Sequence, residues 1–228
     1  MATKQATRQN QAITLKGSTA LVTEFFEYGV NSILYQRGVY PSDDFRMVKK
    51  YGLPMLVTSD DGLKEYIQTI MAQVSDWLLS SSLTRLVLAI KSVETDETLE
   101  RWQFDIYTED GPAQSLPGAP RQAKKKDKTE KEVQGEIREI MKQITSSVTF
   151  LPILDEECEY RAVGATLTTG TFTILAYTND SPDVAIPQTW GDADPHLIDR
   201  GKVEQVRLRS FTTNVHSLEA MVAYRVGE

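Results

Sequence analysis

The hydrophobic period of this chain changes along its length, and that change limits the folds open to it. Three stretches repeat apolar residues at helical spacing; between and after them the period drops to two. The first stripe is Leu21, Val22, Phe25, Phe26, Val30, Ile33 and Leu34, ending at Arg37-Gly38 with Pro41 beyond. The second follows Ser59-Asp60-Asp61, which can cap its amides, and runs Leu63, Tyr66, Ile67, Ile70, Met71, Val74, Trp77, Leu78. The third opens on Thr129 and Glu132 at capping-box spacing, repeats Val133, Ile137, Ile140, Met141, Ile144 and Val148, and meets Pro152 as its stop.

The intervening segments alternate. LTRLVLAI (83–90), the polar turn Glu94-Thr95-Asp96-Glu97 and LERWQFDIY (99–107) read as a hairpin; TFTILAYT (171–178) reads as a further strand. A short strand, YGLPMLVT (51–58), lies between the first two helices. In the closing run VRLRSFTTNVHSLEAMVAYRV (206–226), Val206 and Leu208, then Val222, Tyr224 and Val226, predict two half-buried strands about a turn at Thr212-Thr213-Asn214. Chain ends usually fray, so an apolar strand pair here needs something to hold it. The order predicts an α+β fold, an antiparallel sheet with helices gathered on one side. Residues 110–128, with three prolines and a basic run, are expected as a flexible loop, and 159–170 as an insertion.

Composition removes several function classes. With 25 basic and 32 acidic residues the net charge is −7, which argues against a general nucleic-acid surface. No apolar run reaches the ~18 residues of a membrane helix, and the first dozen residues lack the core of a secretion signal. The single cysteine, Cys158, can form neither an internal disulfide nor a cysteine-based zinc cluster. It stands beside Asp155-Glu156-Glu157, the wrong surroundings for an activated thiolate, and no signature links it to His196 or His216. Gly164 and Gly170 are separated by five residues instead of four and lack a following Lys-Ser/Thr, so they are no phosphate loop. Lys124-Lys125-Lys126 with Lys128 reads as an import signal, a phosphate contact or a solvated loop. No cofactor and no metal is expected. A binding protein, not an enzyme, is the remaining class.

AITLKGSTALVTEFFEYGVNSILYQRGVYP (12–41), YGLPMLVT (51–58), LERWQFDIY (99–107), QITSSVTFLPIL (143–154) and VRLRSFTTNVH (206–216) closely resemble the two-state, spindle-checkpoint branch of the HORMA-domain family, in order across most of 12–226. Relatives that serve translesion polymerases or the meiotic axis share the fold, look less like these segments, and supply the alternative function. The resemblance implies a flexible arm at 1–12 and a single HORMA domain at 13–228. Three helices would pack on a central, mainly antiparallel sheet, and about 180–228 would form a mobile safety belt. In the open form the C-terminal strands cover the edge that receives a partner; in the closed form they move across the sheet, and the belt wraps over the bound peptide.

Residue roles follow from the same resemblance. Phe172, Ile174 and Ala176 lie on the receiving strand, and Trp77 and Tyr224 help to line its apolar site, although Trp77 reads equally as core. Lys142, Gln143, Phe150 and Arg209 form an interface between an open and a closed copy. Lys142 departs from the family's arginine, keeping the charge but losing the planar fork. Leu15, Val215 and Val222 belong to the switch. Expected partners are a kinetochore checkpoint adaptor and, within the mitotic checkpoint complex, the activator of the anaphase-promoting ubiquitin ligase. An adaptor and a ring-shaped ATPase that pulls on the arm would reopen the closed form. No nucleic acid and no membrane is expected as a partner. The implied location is the nucleus, the kinetochore in mitosis, and also the cytoplasm.

Overall fold

A computed structural model describes residues 13–108, 128–154, 170–179 and 184–226. Each helix begins where the sequence supplies an acceptor for its free amides. In α1 (Leu15–Gln36) the Thr14 hydroxyl accepts from the Gly17 N–H at 3.2 Å, and the helix stops at Arg37 because Gly38 takes the left-handed conformation, φ 64°. In α2 (Asp61–Leu79) the Asp60 carboxylate accepts from the Leu63 N–H at 2.6 Å. Thr129 and Glu132 complete a reciprocal capping box on α3 (Glu130–Ser146).

Strands β1 (Phe45–Lys50) and β2 (Leu53–Thr58) form a separate two-stranded hairpin between α1 and α2. Both residues of its turn, Tyr51 (φ 51°) and Gly52 (φ 71°), are left-handed, as a tight hairpin turn of the right twist requires. The main sheet contains β3 (Leu83–Ser92), β4 (Thr98–Thr108), β5 (Gly170–Thr178), β6 (Lys202–Arg207), β7 (Phe211–Thr212) and β8 (His216–Val226). Its order is β5-β3-β4-β8-β6, all antiparallel, with β7 beside the start of β8. The three helices cover one face. There Phe25 packs edge-on against Phe104 and Phe211, ring centroids 5.7 and 5.2 Å apart, and Phe26 meets Phe104 at 5.6 Å.

The α+β expectation is met, with three local corrections. The segment between α1 and α2 holds two strands, because the charged run FRMVKK conceals the first. The third helix ends at Ser146, six residues before Pro152. The Ser146 hydroxyl donates back to the Gln143 carbonyl at 3.1 Å, the chain tightens into a short 3-10 turn, and Val148 is left exposed. Tyr66 lies on the α2 stripe yet stays 43% exposed. The expected loop 110–128, save Lys128, and the insertion 159–170, save Gly170, lie outside the described residues, as does Cys158.

Candidate functional site

The site begins with β5. It pairs with β3 on one side, and among the described residues nothing pairs with its other side. Phe172, Ile174 and Ala176 alternate onto the helix-facing surface, where Ile174 is buried and Phe172 and Ala176 pack against the core. The Phe172 ring meets those of Tyr66 and Tyr40 edge-on, at 5.7 and 6.1 Å. Burial raises both phenol pKa values, so each hydroxyl stays a neutral group beside the strand. A free strand edge with an apolar row beneath it can take an extended peptide as an added strand, backbone to backbone.

A strap, residues 184–201, leads into the start of β6 without regular structure. On the helix side it is tied to α2. The Trp77 indole N–H donates to the Ala185 carbonyl at 3.3 Å, and the Trp190 ring stands edge-on to Trp77 at 4.8 Å. On the opposite face Arg101 donates to the Pro195 carbonyl at 3.4 Å; Arg101 alternates with Glu100 and Trp102, which face the core. The strap therefore passes from the helix side of the sheet to its open side. Beyond Pro195 it bounds a cleft of about 610 Å³ with the β3–β4 turn, lined by Lys91, Glu97, His196 and Arg225 among others. Glu97 binds Arg200 of the strap (2.8 Å) and Arg225 of β8 (2.7 Å), so one carboxylate holds both.

Of the two positions expected for the C-terminal segment, the chain adopts the second, away from the receiving edge. β8 lies between β4 and β6, with Val222 wholly buried opposite Trp102 and Val206. Two buried polar clusters hold this arrangement. At one end the Arg37 guanidinium binds the Glu100 carboxylate and the Pro152 carbonyl, while the Trp102 indole N–H donates to Glu100 at 3.2 Å. Burial pushes the Glu100 carboxyl up, opposed by the Arg37 charge. At the other end the Ser18 hydroxyl of α1 bonds His216 Nδ1 at 2.7 Å and also the Thr213 hydroxyl. Burial holds the His216 imidazole below its ordinary range.

Phe172, Ile174, Ala176 and Trp77 are thus gathered at or beside the β5 edge. Tyr224 is not. It pairs across from Glu100, three strands from β5, and donates its hydroxyl to Glu204 at 3.2 Å, because β8 sits on β4. The expected dimer set is brought together in part: the Gln143 side-chain oxygen accepts from the Arg209 N–H at 2.6 Å. Beside it Lys142 is bound to Glu139 at 2.7 Å, and Phe150 lies exposed past the end of α3. Leu15 opens α1, partly exposed, and Val215 lies half-buried in the turn before β8. Sequence reasoning missed Trp190, Glu97 and the Arg37–Glu100 and Ser18–His216 pairs. Only Trp190, a large apolar residue in a patternless stretch, carried a signal.

The HORMA domain family profile matches residues 18–216. The mitotic spindle assembly checkpoint protein MAD2A of Dictyostelium discoideum is 49% identical over 214 residues, 94% of each chain. Its Homo sapiens counterpart is 43% identical over 218 residues, 96% of this chain and 95% of that one. A chain in a crystal structure of the mitotic checkpoint complex superposes with a TM-score of 0.74 at 41% identity, covering 92% of this chain and all of that one. A profile match across most of the chain, full-length relatives and a common fold lead to one assignment: this chain belongs to the HORMA domain family.

Proposed function

We propose that this chain is a non-enzymatic spindle-checkpoint switch that traps an extended peptide between the β5 edge and the strap. The observation that carries this reading is threefold: an edge of β5 unpaired among the described residues, a strap anchored by Trp77 and Trp190, and β8 lodged on β4. The peptide would add a strand beside Phe172, Ile174 and Ala176. It would come from a kinetochore checkpoint adaptor or from the activator of the anaphase-promoting ubiquitin ligase, and capturing the activator delays anaphase. The spindle-checkpoint relatives support this reading over a polymerase or meiotic role.

Switching needs two packings of one sequence within a few kcal/mol of each other. A peptide that binds only the form with β8 on β4 shifts the population by its differential affinity. In the other form the C-terminal strands would cover β5 instead. Moving between them breaks both ladders of β8, so conversion is slow and open to catalysis by an adaptor and a ring ATPase acting on the arm 1–12. A second copy in the other form would dock on Lys142, Gln143, Phe150 and Arg209. The cell would use this protein in the nucleus, at kinetochores in mitosis and in the cytoplasm.

The test is a fluorescent peptide with the pattern basic, apolar, apolar, any, apolar and a later proline, mixed with the full chain and with a chain ending at His216. Circular dichroism first establishes that the shortened chain is folded. Slow, tight binding by the full chain and none by the folded shortened chain is expected. Fast, equal binding by both would mean a static groove, and the switch would be abandoned. No binding by either would turn the assignment toward the polymerase or meiotic relatives.

A further inference from the structure

Among the described residues of this acidic chain, a basic cleft of about 430 Å³ lies between the β1–β2 turn and α3, and it shares no residue with the β5 edge or the strap. Its lining is Lys49, Lys50, Tyr51 and Gly52 from the turn, and Lys131, Gln134, Gly135 and Arg138 from α3. The α3 residues recur at helical spacing, so they share one face of the helix.

The nearby acids each hold a partner of their own, within the cleft for Glu24 and Glu130 and outside it for Glu136 and Glu139. Glu132 closes the capping box, Glu136 binds Lys128 at 2.5 Å and the Thr212 N–H at 3.2 Å, Glu139 binds Lys142, and Glu130 accepts from Gln134. Glu24 takes Lys50 at 2.5 Å and the Tyr51 hydroxyl at 2.8 Å, which leaves one lysine of the turn matched and pins its aromatic residue in place. Lys49, Lys131 and Arg138 are exposed and have no ion pair among the described residues. A Cβ on Gly52 would come within 3.9 Å of Arg138 Nη1, so the guanidinium borders the turn.

Gly135 points the same way independently. A glycine inside a helix costs about 1 kcal/mol against alanine, and a packing reason usually explains it. Here nothing lies within 4 Å of where its Cβ would be. Its effect is to leave the floor of the cleft open between Lys131 and Arg138.

We infer that this cleft is a docking site for a phosphorylated serine or threonine on an acidic segment of a protein partner. A phosphate dianion offers oxygens for the Arg138 fork and point-charge contacts for Lys49 and Lys131. Three unmatched cations in one compact cleft suit a single phosphate, whereas a nucleic-acid backbone needs a longer basic track than a chain of net charge −7 offers.

The test uses a fluorescein-labelled peptide with one phosphoserine between two glutamates, its unphosphorylated twin, inorganic phosphate as competitor and a DNA duplex of similar charge. Anisotropy with the full chain should give at least ~10-fold tighter binding of the phosphopeptide than of its twin. Arg138→Gln and Lys131→Gln should each weaken it about 10-fold, and Gly135→Glu, which favours the helix while filling the floor with negative charge, should abolish it. Lys64→Gln, outside the cleft, should leave it unchanged. Equal binding of the two peptides, equal binding of the duplex, or retention of binding by Arg138→Gln and Gly135→Glu would each overturn the assignment. Full displacement by inorganic phosphate at concentrations equal to the phosphopeptide would also overturn it, since the partner's acidic flanks would then add nothing.

Discussion

Trp77 of α2 and Trp190 of the strap stand edge-on with ring centroids 4.8 Å apart, and the Trp77 indole N–H also reaches the Ala185 carbonyl. A helix residue whose stripe places it in the core therefore doubles as the fastening of the strap. An edge-on aromatic pair contributes about 0.5–1.5 kcal/mol beyond the area it buries. Trp190→Ala should speed release of a bound peptide roughly 10-fold and leave the far-ultraviolet spectrum unchanged. A stopped-flow chase with unlabelled peptide measures it; an unaltered release rate would separate the strap from retention.

Tyr107 of β4 and Ser217 of β8 are register partners, and Tyr107 is exposed. Directly opposed residues of an antiparallel pair lie about 4.5–5.5 Å apart between Cα atoms, within disulfide range. Tyr107→Cys with Ser217→Cys, in a chain also carrying Cys158→Ser, should lock β8 onto β4 when oxidised. A peptide loaded beforehand should then be retained at least ~10-fold longer, and reduction should restore exchange in the same sample. Exchange at one rate in both redox states would mean that β8 need not leave β4.

The buried Arg37–Glu100 pair should behave non-additively. Removing one partner leaves the other charged and buried, at a cost of about 3–5 kcal/mol. Arg37→Met or Glu100→Leu alone should each lower unfolding stability by that much, and the double variant should recover most of the loss. Urea unfolding of the four chains closes the cycle.

His216 predicts a pH dependence. Its imidazole is held below its ordinary 6.5 by burial, opposed by the Leu78 backbone, with the Ser18 hydroxyl on Nδ1, while Thr213 accepts from the His216 backbone N–H. The folded state therefore binds fewer protons than the unfolded one. The contribution is complete above pH 6.5 and is lost as pH falls through that value toward the folded pKa, at a slope of up to about 1.4 kcal/mol per unit. Glu100, raised by burial, has the opposite sign and titrates from the carboxylate range upward. Comparing the chain with His216→Gln between about pH 5.5 and 7 isolates the imidazole, and the variant should give the flatter curve.

The helices were legible because the periodicity is clear in all three and caps agree with it at Asp60 and the Thr129–Glu132 box. The hairpin β3–β4 and strand β5 were legible for the same reason. β1 was not, since an edge strand that faces solvent may carry Arg46, Lys49 and Lys50 without an apolar alternation. The role of β5 as a receiving strand was expected from resemblance alone; among the described residues it lies at the edge of the sheet. The fastenings of the strap and of β8 were illegible because each joins residues far apart in sequence: Trp77 to Trp190, Glu97 to Arg225, Ser18 to His216. No local pattern encodes such pairs. Tyr224 was misplaced for a related reason: alternation fixes which face a strand buries, and says nothing of which neighbour it chooses.

Strand β8, translated after the other strands of its sheet, occupies an interior place there. Translation proceeds at roughly 5–20 residues per second, so α1–α3 and the trio β5-β3-β4 can assemble before residues 216–226 are available. The nascent domain then offers two vacant margins. The margin of β5 is near in sequence, whereas reaching β4 requires the intervening chain to travel around the sheet, and nearer pairings form sooner. Newly made molecules should accordingly start with the β5 margin filled and drift toward the arrangement described above as they age. The composition of the pool would record the time since synthesis as well as the presence of partners.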